Sequence, residues 1–406
     1  MTNIATDEII PAAGRDAERT PAPRGFIRSA LGETVARTSA KLGLIWIGIV
    51  VAAAIFAPLV ASSYPILTQD NTGHWDSPMA RNLNYIDLTL LSMAACAAVL
   101  FTLRRRIHGG LAVGALLFVT MAVMLFTVNP FPKNEAPYLS KFREDLRDGL
   151  LRRTITTIIP YSPSDRLRDM PTGLQDQPPN RDHWFGTTGN AEDVLSRMLY
   201  ASRTAVSVGF VSTGIALIIG VFIGGIMGYY VGAIDLIGMR IIEIFEAIPR
   251  LFLIIMFVTF YGRNLYYIMA IIGLTGWTGN ARFIRAEFFR LRGQDFVQAA
   301  KSLGLPLRSI LFRHMLPNGI TPVLISASFG VASAILTESY LSFLGLGLVD
   351  EPSWGKMLDD ARGVGTSFNW WMAVFPGGAI FLTVFAYNLI GEAVRDALDP
   401  KLRKRE

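Results

Sequence analysis

Side chains able to carry covalent or metal chemistry are few in this 406-residue chain: one cysteine, Cys96, and four histidines, His74, His108, His183 and His314. No two of them stand at a zinc-ligand spacing, and a lone cysteine makes no intrachain disulfide. No glycine-rich loop ends in Gly-Lys-Ser/Thr, so the phosphate-cradling signature of an ATPase is missing. The chemistry left to the chain is binding. Its strongest candidate is the stretch Asp295 to Asn318, with Gln298, Ala299 and Ala300 on one turn, Gly304 four positions on, then Arg308, Arg313, His314 and Pro317. Small paired residues followed by a helix-ending glycine make a knob that a groove on a soluble partner can admit. A second set is ionisable and lies in strongly apolar surroundings: Glu243, Glu246, Arg250 and Glu338.

The elements that must position these residues are helices in a membrane. Hydrophobic residues make up 51% of the chain and charged ones 17%, with glycine plentiful. Windows of roughly 20 apolar residues, the length that crosses a bilayer core, recur about eight times. They fall near 43–61, 86–103, 109–128, 204–230, 240–260, 264–281, 317–340 and 371–391, the second and third shortened by Asp87 and by Arg104-Arg105-Arg106. The expected class is an all-α, polytopic membrane protein. Ionisable groups at membrane depth face cavities or partners. Glu246 and Arg250 are four apart and can neutralise each other, with Pro249 kinking the helix beside them. Glu338 has no basic neighbour in sequence, which makes it the candidate for a pathway or gate. Gly220, Gly224 and Gly228 share one helix face and permit close approach, within the subunit or against another helix of a translocation unit.

Lysine and arginine gather before the first window, at 104–106, between windows six and seven, and after window eight. With eight crossings all four clusters share one side, so both termini are expected in the cytoplasm. That topology accounts for the net charge of +6. Nucleic-acid binding explains it poorly. The first forty residues read as a disordered tail, since a signal peptide would place its apolar core nearer the start. The span 129–203 reads as an external segment, either a small irregular cap or a linker, ending in an amphipathic interfacial helix around Leu195, Met198, Leu199 and Ser202. Gly345 and Gly347 let the chain turn after the seventh window, and Trp354, Trp370 and Trp371 suit the membrane interface.

Several of these stretches together resemble the permease subunits of bacterial ABC importers. Asp295 to Gly304 is similar to the coupling-loop signature, and Arg313-His314-Met315-Leu316-Pro317-Asn318 resembles the dipeptide/oligopeptide/nickel branch. His183 to Thr204, Leu341 to Leu358 and Gly391 to Pro400 extend the likeness over about 183–400, roughly half the chain. The chain departs from the family pattern with Thr188 in place of an aspartate, Ala191-Glu192 in place of glycine-arginine, and Gln298 in place of an acid.

The resemblance implies a bacterial inner-membrane subunit that binds no cofactor itself. ATP and magnesium would sit on two partner ATPase subunits docked on 282–316. A second homologous permease would complete the pathway, and a periplasmic solute-binding protein would deliver peptides; nickel is the alternative cargo within the family. The implied organisation is a cytoplasmic tail at 1–42, a leading helix at 43–61, an inserted hairpin region at 62–128, the periplasmic segment at 129–203, the core at 204–391, and a basic tail at 392–406. A secondary transporter would show an inverted repeat of broken helices, and none is visible in the sequence. An intramembrane enzyme would need paired catalytic groups within spans.

Overall fold

The computed structural model describes residues 32, 34–103, 114, 139–167, 170, 173–349, 351–362 and 368–398. Most of the tail at 1–42, the Arg104–Arg106 run, all but one residue of the window 109–128 and the basic run from Lys401 lie outside them. Four described helices are long and apolar enough to cross a membrane. They are α1 (Thr38–Val60), α5 (Val194–Tyr230), α12 (Thr321–Phe343) and α14 (Trp370–Leu398). The apolar α3 (Tyr85–Leu103) lies against α1. Arg203 fixes it there, donating from Nη1 to Asp87 at 2.6 Å and from Nε to the Ala54 carbonyl at 2.6 Å. The acid that interrupts this apolar window is therefore neutralised by the core.

The helix α5 runs 37 residues without a proline. Its first turn is capped by the Asp193 carboxylate, which accepts from the Ser196 N–H at 2.8 Å. The residues expected as a separate interfacial helix are the opening turns of this one helix. Nothing between Tyr200 and Thr204 breaks the backbone ladder. The expected single spans at 240–260 and 264–281 are each broken instead. Pro249 has no N–H to continue the ladder, so α6 (Gly232–Ala247) stops and α7 (Arg250–Tyr261) starts anew. At Gly276 the N–H turns back to Gly273 O at 3.1 Å, dividing α8 (Leu265–Thr275) from α9 (Trp277–Leu291).

The helix α5 forms the spine, with α1, α8, α9 and α12 packed around it. Its glycines make the closest seam. A methyl group on Gly220 would lie 2.5 Å from Asn280 Cβ, one on Gly228 would lie 2.5 Å from Arg285 O, and one on Gly224 would strike the Ala281 backbone. The glycine stripe is thus spent inside the subunit, on α9. Isoleucines, phenylalanines and leucines on the outer faces, such as Ile218, Phe222, Phe252 and Phe381, are exposed. Apolar surface on that scale needs lipid or a partner to cover it.

One end of the bundle carries a small antiparallel sheet in the order β2-β1-β3, from β1 (Leu67–Asp70), β2 (Trp75–Asp76) and β3 (Leu151–Ile155). Thr68 faces Asp76 on one side and Thr154 on the other, with an irregularity at Gln69/Asp70. Strand β1 and strand β3 come from opposite sides of the expected hairpin. Residues 62–82, assigned by sequence to the hairpin region, therefore belong to the same cap as 139–193. Short helices α2 (Pro78–Asn82) and α4 (Lys141–Arg147) complete it. The short α13 (Trp354–Asp360) closes over the same end of α12 and α14. Of the three tryptophans expected at an interface, only Trp370 is exposed. Trp354 donates to Met198 O at 3.2 Å and Trp371 to Thr187 O at 3.2 Å, both buried where the cap meets the helices.

Candidate functional site

At the opposite end of α5 lies the segment singled out for docking. The helix α10 (Asp295–Ser302) is amphipathic at short range: Val297 and Ala300 turn inward onto Ile284, Phe288, Leu291, Ile310, Leu311 and Met315. Its other face stays open. The helix ends in a Schellman arrangement, with Leu305 N donating to Ala300 O at 3.2 Å and Gly304 N to Lys301 O at 3.0 Å. Gly304 adopts φ +67°, where a side chain would be strained.

The sequence set Gln298, Ala299, Ala300 and Gly304 together as one knob, and the structure divides it. Ala299 and Gly304 are exposed, whereas Ala300 is buried in the subunit's own core. The Gln298 amide is engaged locally, donating to Arg292 O at 2.8 Å. Arg308, Arg313 and Pro317 are exposed and His314 is half-buried. Two residues that sequence reasoning missed complete the open face: Phe296 and, 78% exposed, Leu303. With Ala299 they recur at i, i+3 and i+7, one stripe of a helix. The signal was present in that spacing, offset by about 100° around the helix from Val297 and Ala300.

A π-helical turn, Ser309–Met315, follows and leads into α11 (Leu316–Gly319), where Pro317 has no N–H to offer the ladder. The whole segment is held to the end of α5. Arg292 Nη1 donates to Tyr229 O at 3.4 Å and Lys301 Nζ lies 5.6 Å from the Tyr229 ring centre.

The membrane-depth acids sit differently from expectation. Glu246 does not pair with Arg250; it accepts from Arg282 of α9 at 2.5 Å. The helix break at Pro249 removes the i,i+4 geometry that pairing needs. Glu243 pairs with Arg240 at 2.5 Å on an exposed surface. Asp235 takes both nitrogens of a forked contact from Arg285, tying α6 to α9. Glu338 is 2% exposed, beneath α13, where Ser342 Oγ donates to its carboxylate at 2.6 Å. It lines no wall of the cavity formed by the two helix breaks. That cavity, of 230 Å³, contains Arg250.

A helical bundle with broken inner helices, exposed apolar outer faces and four helices long enough to span a bilayer defines a multi-pass helical membrane protein. The chain belongs to the binding-protein-dependent transport system inner membrane component family, whose family model matches residues 220–404. It is 35% identical over 302 residues to the oligopeptide transport system permease protein OppC of Escherichia coli K12, covering 74% of this chain and 90% of that one. It is 39% identical over 231 residues to the dipeptide transport system permease protein DppC of Bacillus subtilis 168, covering 57% of this chain and 72% of that one. OppC of the same Bacillus strain is 38% identical over 231 residues, covering 56% and 75%.

Proposed function

We propose that this chain is one of two homologous permease subunits in an ATP-driven importer that moves di- and oligopeptides handed over by a periplasmic binding protein. The observation that carries the ATP-coupled part is the exposed stripe Phe296, Ala299 and Leu303 beside basic Arg308 and Arg313. Apolar residues left open at one end of a membrane bundle need a covering partner. Two ATPase subunits, binding the ATP and magnesium this chain has no loop for, are that partner class. The peptide names of the relatives favour peptides over nickel as cargo.

In this reading the segment 296–316 and both termini face the cytoplasm, and the sheet-bearing cap faces the binding protein. Closure of the ATPases moves the segment, and α6 to α12 follow as rigid pieces around the cavity at Arg250. Burial of Glu338 under α13 favours that cavity over Glu338 as part of the pathway.

Purification of the membrane complex through this subunit tests the assignment. Two ATPases, a second permease and a peptide-binding external protein are expected. Coupled uptake reconstituted with this permease alone would replace the heterodimer by a homodimer, and a complex lacking any ATPase would overturn the reading. For orientation, cysteines placed at 106 and 170 in a Cys96-free background should be shielded from, and open to, an external label respectively. The reverse pattern inverts the topology.

A further inference from the structure

We propose that the cavity at the two helix breaks is an anion subsite in the translocation path, in which Arg250 receives the carboxylate terminus of a passing peptide; this rests on the peptide reading above. Among the described residues of this wall Arg250 is the one charged side chain; Glu246 lines only the adjoining pocket that shares Arg250, and its carboxylate is taken by Arg282. Among the described residues it has no carboxylate partner. Its Nη2 donates to the Ile272 carbonyl at 3.2 Å, an acceptor freed because the Gly276 N–H turns to Gly273. A guanidinium presents five donors in a planar fork, so most of its capacity is left for something the subunit does not contain.

The surroundings are built for the same charge. Helices α7 and α9 both start at this cavity with no side-chain cap on their first turn, and helix N-termini favour anions. A methyl on Gly276 would lie 2.9 Å from Arg250 Nη2, so the absence of a side chain there is what admits the guanidinium. Across the cavity Thr213 is only 6% exposed, and its hydroxyl has no hydrogen-bond partner. Burying an unsatisfied hydroxyl is costly, and a ligand oxygen arriving in the cavity would satisfy it. Asn280 accepts from Ser326 Oγ at 2.6 Å, which orients the amide so that its nitrogen remains available as a further donor. One cation, one orphan hydroxyl and one amide nitrogen form a donor set for a carboxylate. The opposing requirement, a basic or neutral ligand, would meet the guanidinium without a counter-charge.

The Arg250 bond to Ile272 also braces the break in α8 and α9, so the test must separate ligand binding from bracing. The complete importer in proteoliposomes is given one tripeptide with a free carboxylate and the same tripeptide amidated at that end, at saturating binding protein. The ratio of the two uptake rates is compared between complexes, which cancels the binding protein's own preference. Arg250→Gln should lower the free-to-amidated ratio about tenfold, the worth of one charge-assisted hydrogen bond. Thr213→Val, similar in volume, should lower it about threefold and serves as the reading should Arg250→Gln not assemble. A fall in both peptides together with an unchanged ratio would make Arg250 a brace only and overturn the subsite. An unchanged ratio in Thr213→Val overturns it likewise. No peptide uptake by the unsubstituted complex would overturn the peptide reading and the subsite with it, a result distinct from peptide uptake with an insensitive ratio.

Discussion

The two ends of the subunit spend their side chains in opposite ways. In the cap, Asp165 accepts from Arg143 at 2.7 Å, from Ser63 Oγ at 2.5 Å and from the Leu167 N–H at 3.2 Å. Thr157 Oγ1 bonds at Ser62 and Ile159, and Glu192 is held by Arg197. Its buried acids are paired internally, and Trp354 and Trp371 are buried where it meets the helices. At the other end, α10 turns half its surface to a small core of its own and leaves Phe296, Ala299 and Leu303 uncovered. The cap is held by ion pairs within the subunit, whereas the α10 end leaves an apolar stripe open to the proposed partner. Stability and assembly should therefore fail separately.

The largest expected effect breaks the comparison from the α10 side. Ala299→Asp or Leu303→Asp places a charge in the proposed ATPase contact and should cost on the order of 3 kcal/mol of subunit affinity. Pull-down of the ATPases should fall about a hundredfold, with the melting of the isolated subunit unchanged. Normal coupled transport at normal expression by both variants would show that this stripe is not the docking face.

Of comparable size is Asp165→Ala, which removes the shared acceptor of Arg143 and Ser63 in the cap. Loss of one member of a buried ion pair costs about 3 kcal/mol. Protease cleavage around 141–167 should accelerate while ATPase docking is retained. Equal loss of docking would mean the ends are not independent.

The smallest effect sharpens the account of the cap. Ala191 sits at φ +59°, a left-handed conformation in a turn where Thr188 Oγ1 accepts from the N–H groups of Asn190 and Glu192. Threonine here performs the turn-closing role of an aspartate side chain, and the family's usual glycine would relieve strain at 191. Ala191→Gly should stabilise the subunit by roughly 0.5 kcal/mol, the relief being partly offset by a freer unfolded chain. A lower melting temperature would contradict the strain assignment.

How much of this was legible in the sequence follows from which physical signal each feature leaves. Apolar windows found α1, α5, α12 and α14, because a span must bury its backbone within one helix. The glycine seam was visible as a four-residue repeat, though only the structure identifies α9 as its partner. Windowed hydropathy could not see that Pro249 and Gly276 end helices rather than bend them, and so it paired Glu246 with the wrong arginine. Ala300 went into the docking knob because adjacent alanines look alike, yet they point about 100° apart on a helix. Leu303 was passed over as ordinary apolar sequence, although its spacing from Phe296 and Ala299 places it on the stripe that the structure leaves exposed. Trp354 and Trp371 were read from composition as interfacial, but each ring nitrogen has a buried carbonyl to satisfy. The sheet was invisible, since its strands are short and lie on opposite sides of an insertion.

The unbroken helix α5 has a mechanical consequence. Thirty-seven residues at 1.5 Å per residue make a rod about 55 Å long, with its capped start under the cap and its far end gripped at Tyr229 by Arg292 and Lys301. A rod of about 55 Å that swings by about 5° carries its tip through about 5 Å. Across the glycine seam α9 is packed too closely to slide past, so it would be carried with the rod, and the helix breaks at Pro249 and Gly276 are where the neighbouring pieces can bend. Leverage of this kind lets a small rotation at one end reach the other without any long-range chain of rearranged contacts.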